Sequence, residues 1–306
     1  MKKLIICLVF LTILTANTIS AAAAVDKKIE LNGESINLED DEQIMKLKEE
    51  IEKKSEKEKD MIIGSTVIFL NGQENHIRNS ESNLGCLITD AVLAKTKAEA
   101  VIINSRTINA SIAKGLISMR DIKRALPAQD EIIIKEIKGS KLVEVLEHSI
   151  SKYPENASFF PQLSGIKIIF AEIEGAANKI LKVLVNSKPL KENKYYLIAT
   201  NDSLAQGGDG FKKLAQAKKI KNSGRLDQIF KEYLQEKEII EKVKANRIIA
   251  VSKVGNNYFY RIQKGDYLYL IANKFSVSVK KIMQANNLKN ISLIYEGQKL
   301  IIPGLR

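Results

Sequence analysis

The sequence predicts a mixed α/β (α+β) protein: a mixed sheet flanked by helices, then a small strand–helix–helix–strand module. Three observations carry this. Strand-like and helix-like segments are mixed irregularly over residues 62–253. Three strand-like runs, "SGIKIIFAE", "KILKVLVN" and "KYYLIAT", lie close together late in that region, which suits a mixed sheet. The last stretch, 258–306, reads strand, helix, helix, strand, with no second copy elsewhere in the chain.

Residues 1–24 read as an export signal: Lys2 and Lys3 form a basic start, Leu4 to Leu14 an apolar run, and "ISAAAA" offers small residues for cleavage near Ala22 to Ala24. The apolar run is too short for a strong membrane anchor, so the mature chain is expected to be secreted and free of the membrane. Cys7 follows Ile6, not a small residue, which argues against lipid attachment, and Cys86 then remains without an internal disulfide partner. Residues 25–61 form an arm. Within it, Leu38 to Asp60 read as a charged helix with acidic residues near its start and a sparse stripe of Ile44, Met45, Leu47 and Ile51.

The main region, 62–253, opens with "IIGSTVIFLNG", a strand ending in an Asn-Gly turn. "NLGCLITDAVLAKTKA" places Leu84, Leu87, Ile88, Ala91 and Val92 on one helix face, and "EAVIIN" is a buried-type strand. "SMRDIKRAL" begins a helix with Asp121 near its start, stopped by Pro127. "EIIIKEIKG" is a strand and "SKLVEVLEHSISKY" a helix. After the three clustered strands, "GRLDQIFKEYLQEKEIIEKV" closes the region as a helix, and "VGNN" (254–257) reads as a linker. One loop stands out, "ATNDSLAQGGDGF", where Gly207, Gly208 and Gly210 permit a close backbone approach to a ligand.

Charge and composition exclude several function classes. The formal charge is +12, from 48 Lys and Arg against 36 Asp and Glu, but the lysines are interleaved with acids. A specific nucleic-acid binder would show a basic stripe with stacking aromatics, which is not found. Two isolated histidines, His76 and His148, supply no metal cluster, and no cofactor is expected. Nor does a nucleophile–base pair or a paired-carboxylate hydrolase site stand out, and Glu81 and Asp90 read as exposed positions on a helix.

The stretch "YRIQKGDYLYLIANKFSVSVKKIMQANNLKNISLIYEGQKLIIP" closely resembles a LysM domain across Tyr260 to Pro303. Leu268, Ile271 and Phe275 form one helix face, with Ile282 from the second helix, and Asp266 is placed to cap the first helix. The resemblance implies binding of N-acetylglucosamine-containing glycan, here peptidoglycan, and hence a secreted, cell-wall-associated protein. It places the binding loops at Gly265, Asp266, Tyr267 and Leu268, and at Asn287, Leu288, Ile294 and Tyr295. Glu296 replaces the proline frequent before Gly-Gln in that family.

A second resemblance covers about Ile62 to Val251. "RNSESNLGCLITDAVL", "INSRTINAS", "LPAQD", "GSKLVEVLEHSI", "FFPQLSGIKI" and the glycine loop together resemble the C-terminal, substrate-binding domain of 5'-nucleotidases. The charged helix before Ile62 is similar to that family's interdomain hinge helix. In the family a separate metallophosphatase domain performs hydrolysis, so this chain by itself is expected not to hydrolyse phosphoesters. Carried over residue by residue, Arg78 matches a substrate-reaching arginine, Asn104 the pocket asparagine, and Asp209, with Gly207 and Gly208, the glycine loop. The binding arginine of the Asn-Gly-Gly-Gly-Ile-Arg segment is Asn109 here, with Arg106 as a partial replacement. The two base-stacking aromatics fall at Ala128 and Ser203.

Magnitudes weigh against a retained nucleotide site. Two lost stacking contacts remove about 2–6 kcal/mol. A lost charge-assisted hydrogen bond removes about 1.5–3 kcal/mol more, against roughly 8 kcal/mol for a micromolar ligand. The leading expectation is a wall-anchored, non-catalytic domain. The alternative is the nucleotide-binding part of a 5'-nucleotidase whose phosphatase domain is a separate chain.

Overall fold

The computed structural model describes residues 60–305, together with 29–31, 34–36, 46, 53 and 57. The export signal and most of the charged helix expected over 38–60 lie outside the described residues, although positions 46, 53 and 57 are helical. The chain divides into two units, Met1–Asp60 and Met61–Arg306. In the first, β1 (Ile29–Leu31) and β2 (Glu34–Ile36) pair antiparallel.

The second unit is layered around two large sheets. Its central sheet has the order β12-β6-β11-β4-β7, where β4 is Ala100–Asn104, β6 Glu131–Lys138, β7 Pro161–Ser164, β11 Tyr195–Asn201 and β12 Lys218–Arg225. The strand β4 is buried at every position, because both faces of the sheet are covered. Val101 and Ile103 face one core and Ala100 and Ile102 the other, the period-two alternation of a strand.

The first core lies under α2 (Asn83–Lys95), α3 (Met119–Ala125) and α7 (Leu226–Lys237). Three short helices, α1 (Glu74–Ile77), α5 (Asp202–Ala205) and α6 (Lys212–Gln216), lie in connections between larger elements. A small sheet, β13 (Ile239–Ile240), β3 (Ile62–Thr66) and β5 (Gly115–Ser118), completes the layer of the first core. All five apolar residues expected on the α2 face are buried. The start of α3 is a capping box, Ser118 and Asp121 each accepting from the other's backbone N–H, so Asp121 performs the capping role its position suggested.

The second core lies between the central sheet, α4 (Gly139–Ser149) and a six-stranded sheet of order β10-β9-β8-β14-β15-β16. Here β8 is Ile166–Glu172, β9 Lys179–Val185, β10 Lys188–Pro189 and β14 Ile248–Val254. The last two strands, β15 (Asn257–Arg261) and β16 (Lys299–Ile301), come from the C-terminal module.

That shared sheet changes the reading of residues 254–257. Val254 pairs with Asn257, so Gly255 and Asn256 form a two-residue hairpin turn, with Gly255 at a φ of 57°. The expected linker is thus a turn that carries the module onto the sheet of the preceding region. The helices α8 (Leu268–Phe275) and α9 (Val279–Ala285) pack against the far face of this sheet. Their core mixes Leu268, Ile271, Phe275 and Ile282 with Ile169, Ile249 and Val251.

Glu81 and Asp90, expected as exposed helix positions, are only partly exposed and engage Arg247. The Asn246 and Arg247 backbone N–H groups donate to Glu81 at 2.6 and 2.9 Å, and the Arg247 guanidinium pairs with Asp90 at 2.7 Å. Burial, opposed by these partners, raises the Glu81 pKa above the usual carboxylate range.

Candidate functional site

The central sheet aligns polar residues at one edge. The parallel strands β4 and β11 end side by side, and β6, antiparallel to β11, begins there. Asn104, at the end of β4, donates from Nδ2 to Asp209 Oδ2 at 2.9 Å, and its Oδ1 accepts from the Thr107 hydroxyl at 2.8 Å. The Asn201 amide, at the end of β11, donates to Asn104 Oδ1 at 3.3 Å.

The glycine loop folds over this edge. Gly207 has a φ of 92°, a left-handed conformation open to glycine, and starts the short turn Gly208–Gly210. A Cβ on Gly208 would stand 2.7 Å from Ser203 Oγ, so the loop is packed on the position where the family carries an aromatic ring. Asp209 itself adopts a φ of 53°, held by Asn104 on its carboxylate and by His148 Nε2, which lies 2.8 Å from its backbone carbonyl. His148 stacks on Phe159 at 5.3 Å and meets Phe211 edge-on at 4.7 Å. His148, read from the sequence only as an isolated histidine, thus holds the loop.

Of the residues expected in the pocket, the fold brings together Asn104, Asp209, Gly207 and Gly208. Arg106 lies beside them, with Nη1 3.6 Å from Asp209 Oδ1. The Arg78 guanidinium pairs with Glu74 at 2.7 Å, and its carbonyl accepts from the N–H of Ala157, whose own carbonyl accepts from the Ser105 hydroxyl. Ala128 and Asn109 are exposed.

One residue of this edge was missed from sequence. Burial, and then the charge of Asp202, raise the Asp130 pKa, while hydrogen bonds from Asn201 and Thr107 and the charge of Arg106 oppose the rise. A carboxyl with a raised folded-state pKa stabilises most below its unfolded pKa, about pH 4, and that stabilisation is lost as pH rises through the folded value. Asp130→Asn is therefore expected to raise the melting temperature at neutral pH and to lose this advantage near pH 4. Melting curves of both proteins across that range check it.

The second candidate region is on the C-terminal module. Arg261 pairs with Lys299, and Ile262 exchanges backbone hydrogen bonds with Gly297 and Gln298, so the loops after β15 and before β16 leave the sheet together. Tyr267 is 62% exposed and Tyr295 66%, and the Tyr267 ring stacks on Tyr269 at 6.2 Å. Ile291 and Leu293 add exposed apolar surface, Gly265 and Asn287 take positive φ, and Ile294 and Leu288 are half-buried supports.

Two residues expected in this region face inward. Leu268 is 2% exposed and belongs to the core. The Asp266 side chain is 9% exposed and accepts from Tyr260 Oη at 2.7 Å, Lys274 Nζ at 3.1 Å and the Gln263 backbone N–H at 2.9 Å. It does not cap the helix, whose N-cap is Tyr267. Burial, then the hydrogen bond to Asp266, pushes the Tyr260 hydroxyl pKa up. Asp266 therefore fixes the loop from within.

Among the described residues, no group of three or more His, Cys, Asp or Glu side chains is placed to hold a metal ion. No helix among them is long and apolar enough to cross a membrane.

Comparison with known proteins fits this geometry. The profile of the 5'-nucleotidase, C-terminal domain, matches residues 62–216, half of the chain, and the LysM domain profile matches 260–303. The chain is 31% identical over 183 residues to the trifunctional nucleotide phosphoesterase protein YfkN of Bacillus subtilis, covering 56% of this chain and 12% of that protein. It is 29% identical over 212 residues to a 5'-nucleotidase of Diplobatis ommata, covering 62% of this chain and 37% of that one. The chain thus spans well under half the length of either relative. The crystal structure of a 5'-nucleotidase precursor from Thermus thermophilus superposes with a TM-score of 0.62 at 27% identity, covering 68% of this chain and 43% of that one. The protein belongs to the 5'-nucleotidase C-terminal domain family and carries a LysM domain built onto the same sheet.

Proposed function

We propose that this protein is exported to the cell wall, where its LysM domain binds N-acetylglucosamine-containing peptidoglycan and displays a nucleotidase-type domain that is non-catalytic and holds no nucleotide. The observation that carries the anchoring half is the exposed pair Tyr267 and Tyr295 on two loops leaving one sheet end. Their rings offer flat apolar faces suited to sugar rings, and their hydroxyls offer hydrogen bonds. The non-nucleotide half rests on Ala128 and Ser203, which provide no stacking face.

A second reading is favoured by the retained Asn104–Asp209 pair. It makes the chain the nucleotide-binding part of a 5'-nucleotidase whose metallophosphatase domain is on another chain. One experiment separates the two. The full chain is expected to sediment with purified peptidoglycan, with about tenfold weaker binding for each of Tyr267→Ser and Tyr295→Ser. In parallel, millimolar AMP is expected to leave its melting temperature unchanged. A ligand at 100 times its dissociation constant would add about 2.7 kcal/mol, a rise of about 5–10 °C for a unit of this size. Such a rise with AMP favours the second reading, and sedimentation indifferent to both tyrosines overturns the anchoring surface.

A further inference from the structure

The exposed apolar surface of the C-terminal module does not end at its two loops. The helix α8 buries one face, made of Leu268, Ile271, Ala272 and Phe275. Its first turn also presents Tyr269, 58% exposed, and Leu270, 38% exposed. With Tyr267 before them, three of the four residues 267–270 hold large apolar side chains in water. Exposed apolar surface gathered in this way marks interaction sites.

The helix itself does not require these side chains. Tyr267 is the N-cap, yet its side chain makes no capping hydrogen bond. The Tyr267 and Tyr269 rings lie 6.2 Å apart with their planes 24° from parallel. Among the described residues neither hydroxyl has a hydrogen-bond partner, and nor does the side-chain amide of Asn273, which is also exposed. Tyr269 and Asn273 stand at i and i+4, so they lie on one side of the helix. Their separation along the axis is about 6 Å, on the scale of one sugar ring.

Charge narrows what this face takes. Tyr267, Tyr269, Leu270 and Asn273 are all uncharged. The one lysine of α8, Lys274, is turned inward, 10% exposed and paired with Asp266. An anionic polymer or acidic peptide would thus gain no cation from this helix. A neutral N-acetylated sugar matches it: flat rings for its pyranose face, and an amide able to donate and accept.

We propose that the glycan surface runs from the Tyr267 loop onto the first two turns of α8, where Tyr269 stacks on a further sugar and the Asn273 amide hydrogen-bonds beside it. The ligand is then an extended strand of several N-acetylated sugars, not a single sugar or a strand end. This rests on the reading that Tyr267 and Tyr295 bind glycan, and it names the length and chemistry of the strand they take.

The test is titration calorimetry of the full chain with N-acetylglucosamine oligomers of three and of six sugars, beside sedimentation with purified peptidoglycan. The longer oligomer is expected to bind about tenfold more tightly than the shorter. Tyr269→Ser is expected to cut that advantage to about threefold or less, to weaken peptidoglycan binding about tenfold, and to leave the shorter oligomer within about twofold. Tyr269→Phe, which keeps the ring, is expected to retain the advantage. Both variants are expected to melt within about 2 °C of the unmodified protein, as the side chain is exposed. Equal binding of the two oligomers by the unmodified protein overturns the extended site. So does a Tyr269→Ser protein with the full advantage, or one that loses both oligomers equally, since the ring then only props Tyr267. Light scattering is run alongside: a dimer that Tyr269→Ser dissociates assigns this face to a second copy and overturns the strand. Losses confined to Tyr267→Ser and Tyr295→Ser overturn the extension and leave the anchor standing. Binding indifferent to all three tyrosines overturns both.

Discussion

Deleting residues 258–306 is expected to unfold the nucleotidase-type region, not merely to release it from the wall. The strand β15 pairs with β14, and Lys167 Nζ donates to the Lys274 carbonyl at 2.7 Å. Above all, Ile169, Ile249 and Val251 are covered by Leu268, Ile271 and Phe275 in one core. Uncovering three large aliphatic side chains costs about 1.5–3 kcal/mol each, hence about 5–9 kcal/mol as an upper estimate. That is comparable with the whole stability of a typical domain, about 5–15 kcal/mol. The truncated protein should melt about 10 °C or more below the full chain, or show no cooperative transition. Circular dichroism melting of both proteins checks this, and an unchanged transition would show that the shared core contributes little. It also follows that loss of wall binding on truncation does not identify a glycan surface, which is why single tyrosine substitutions are the sharper probe.

Replacing Arg247 with methionine is expected to be nearly as severe. The side chain of Arg247 is 13% exposed; it pairs with Asp90 and donates to the carbonyls of Cys86, Leu163 and Lys244. It thereby ties the entry to β14 to the helix α2 and to β7. Methionine keeps much of the volume but leaves the Asp90 carboxylate without its cation, with the Ser164 hydroxyl as a remaining donor, and leaves the Cys86 and Leu163 carbonyls with the Thr89 hydroxyl as their remaining side-chain donor. Breaking one side of a buried pair costs about 3–5 kcal/mol, which lowers the melting temperature by about 6–20 °C. The double variant Arg247→Met with Asp90→Leu should recover part of this, since the stranded charge is gone. A double variant no more stable than Arg247→Met would place the loss in the carbonyl contacts instead.

The elements legible in the sequence are those whose signal is local. The stripe of α2, the apolar run of β4, the Ser118–Asp121 box and the order of strands and helices in the LysM domain all follow from residues a few positions apart. So does the glycine loop, whose positive φ at Gly207 depends on its own missing side chain. The strand β12, "KKIKNSGR", was not legible, because an exposed edge strand has no buried face to impose alternation. The short β7 and β13 likewise depend on neighbours distant in sequence.

Around the site the division is sharper. Asn104 and Asp209 could be picked out by their surroundings in the chain, but Asp130 and Asn201 are unremarkable polar residues until the fold brings the end of β11 beside the approach to β6. Glu81, just before α2, and Asp90, on it, look solvent-facing in their own segment and become partners of Arg247 only because the chain returns 157 residues after Asp90. Asp266 suits a cap by position, yet Tyr260 and Lys274 draw it inward. "VGNN" has the composition of a linker or a tight turn, and only the pairing of Val254 with Asn257 decided which. The sequence by itself determined the two families and the local backbone preferences, since these arise from short-range sterics and hydrophobic spacing. Which polar groups are buried, which charges meet and whether two regions share a core were decided by tertiary structure alone, because desolvation and pairing depend on what the fold brings from far along the chain.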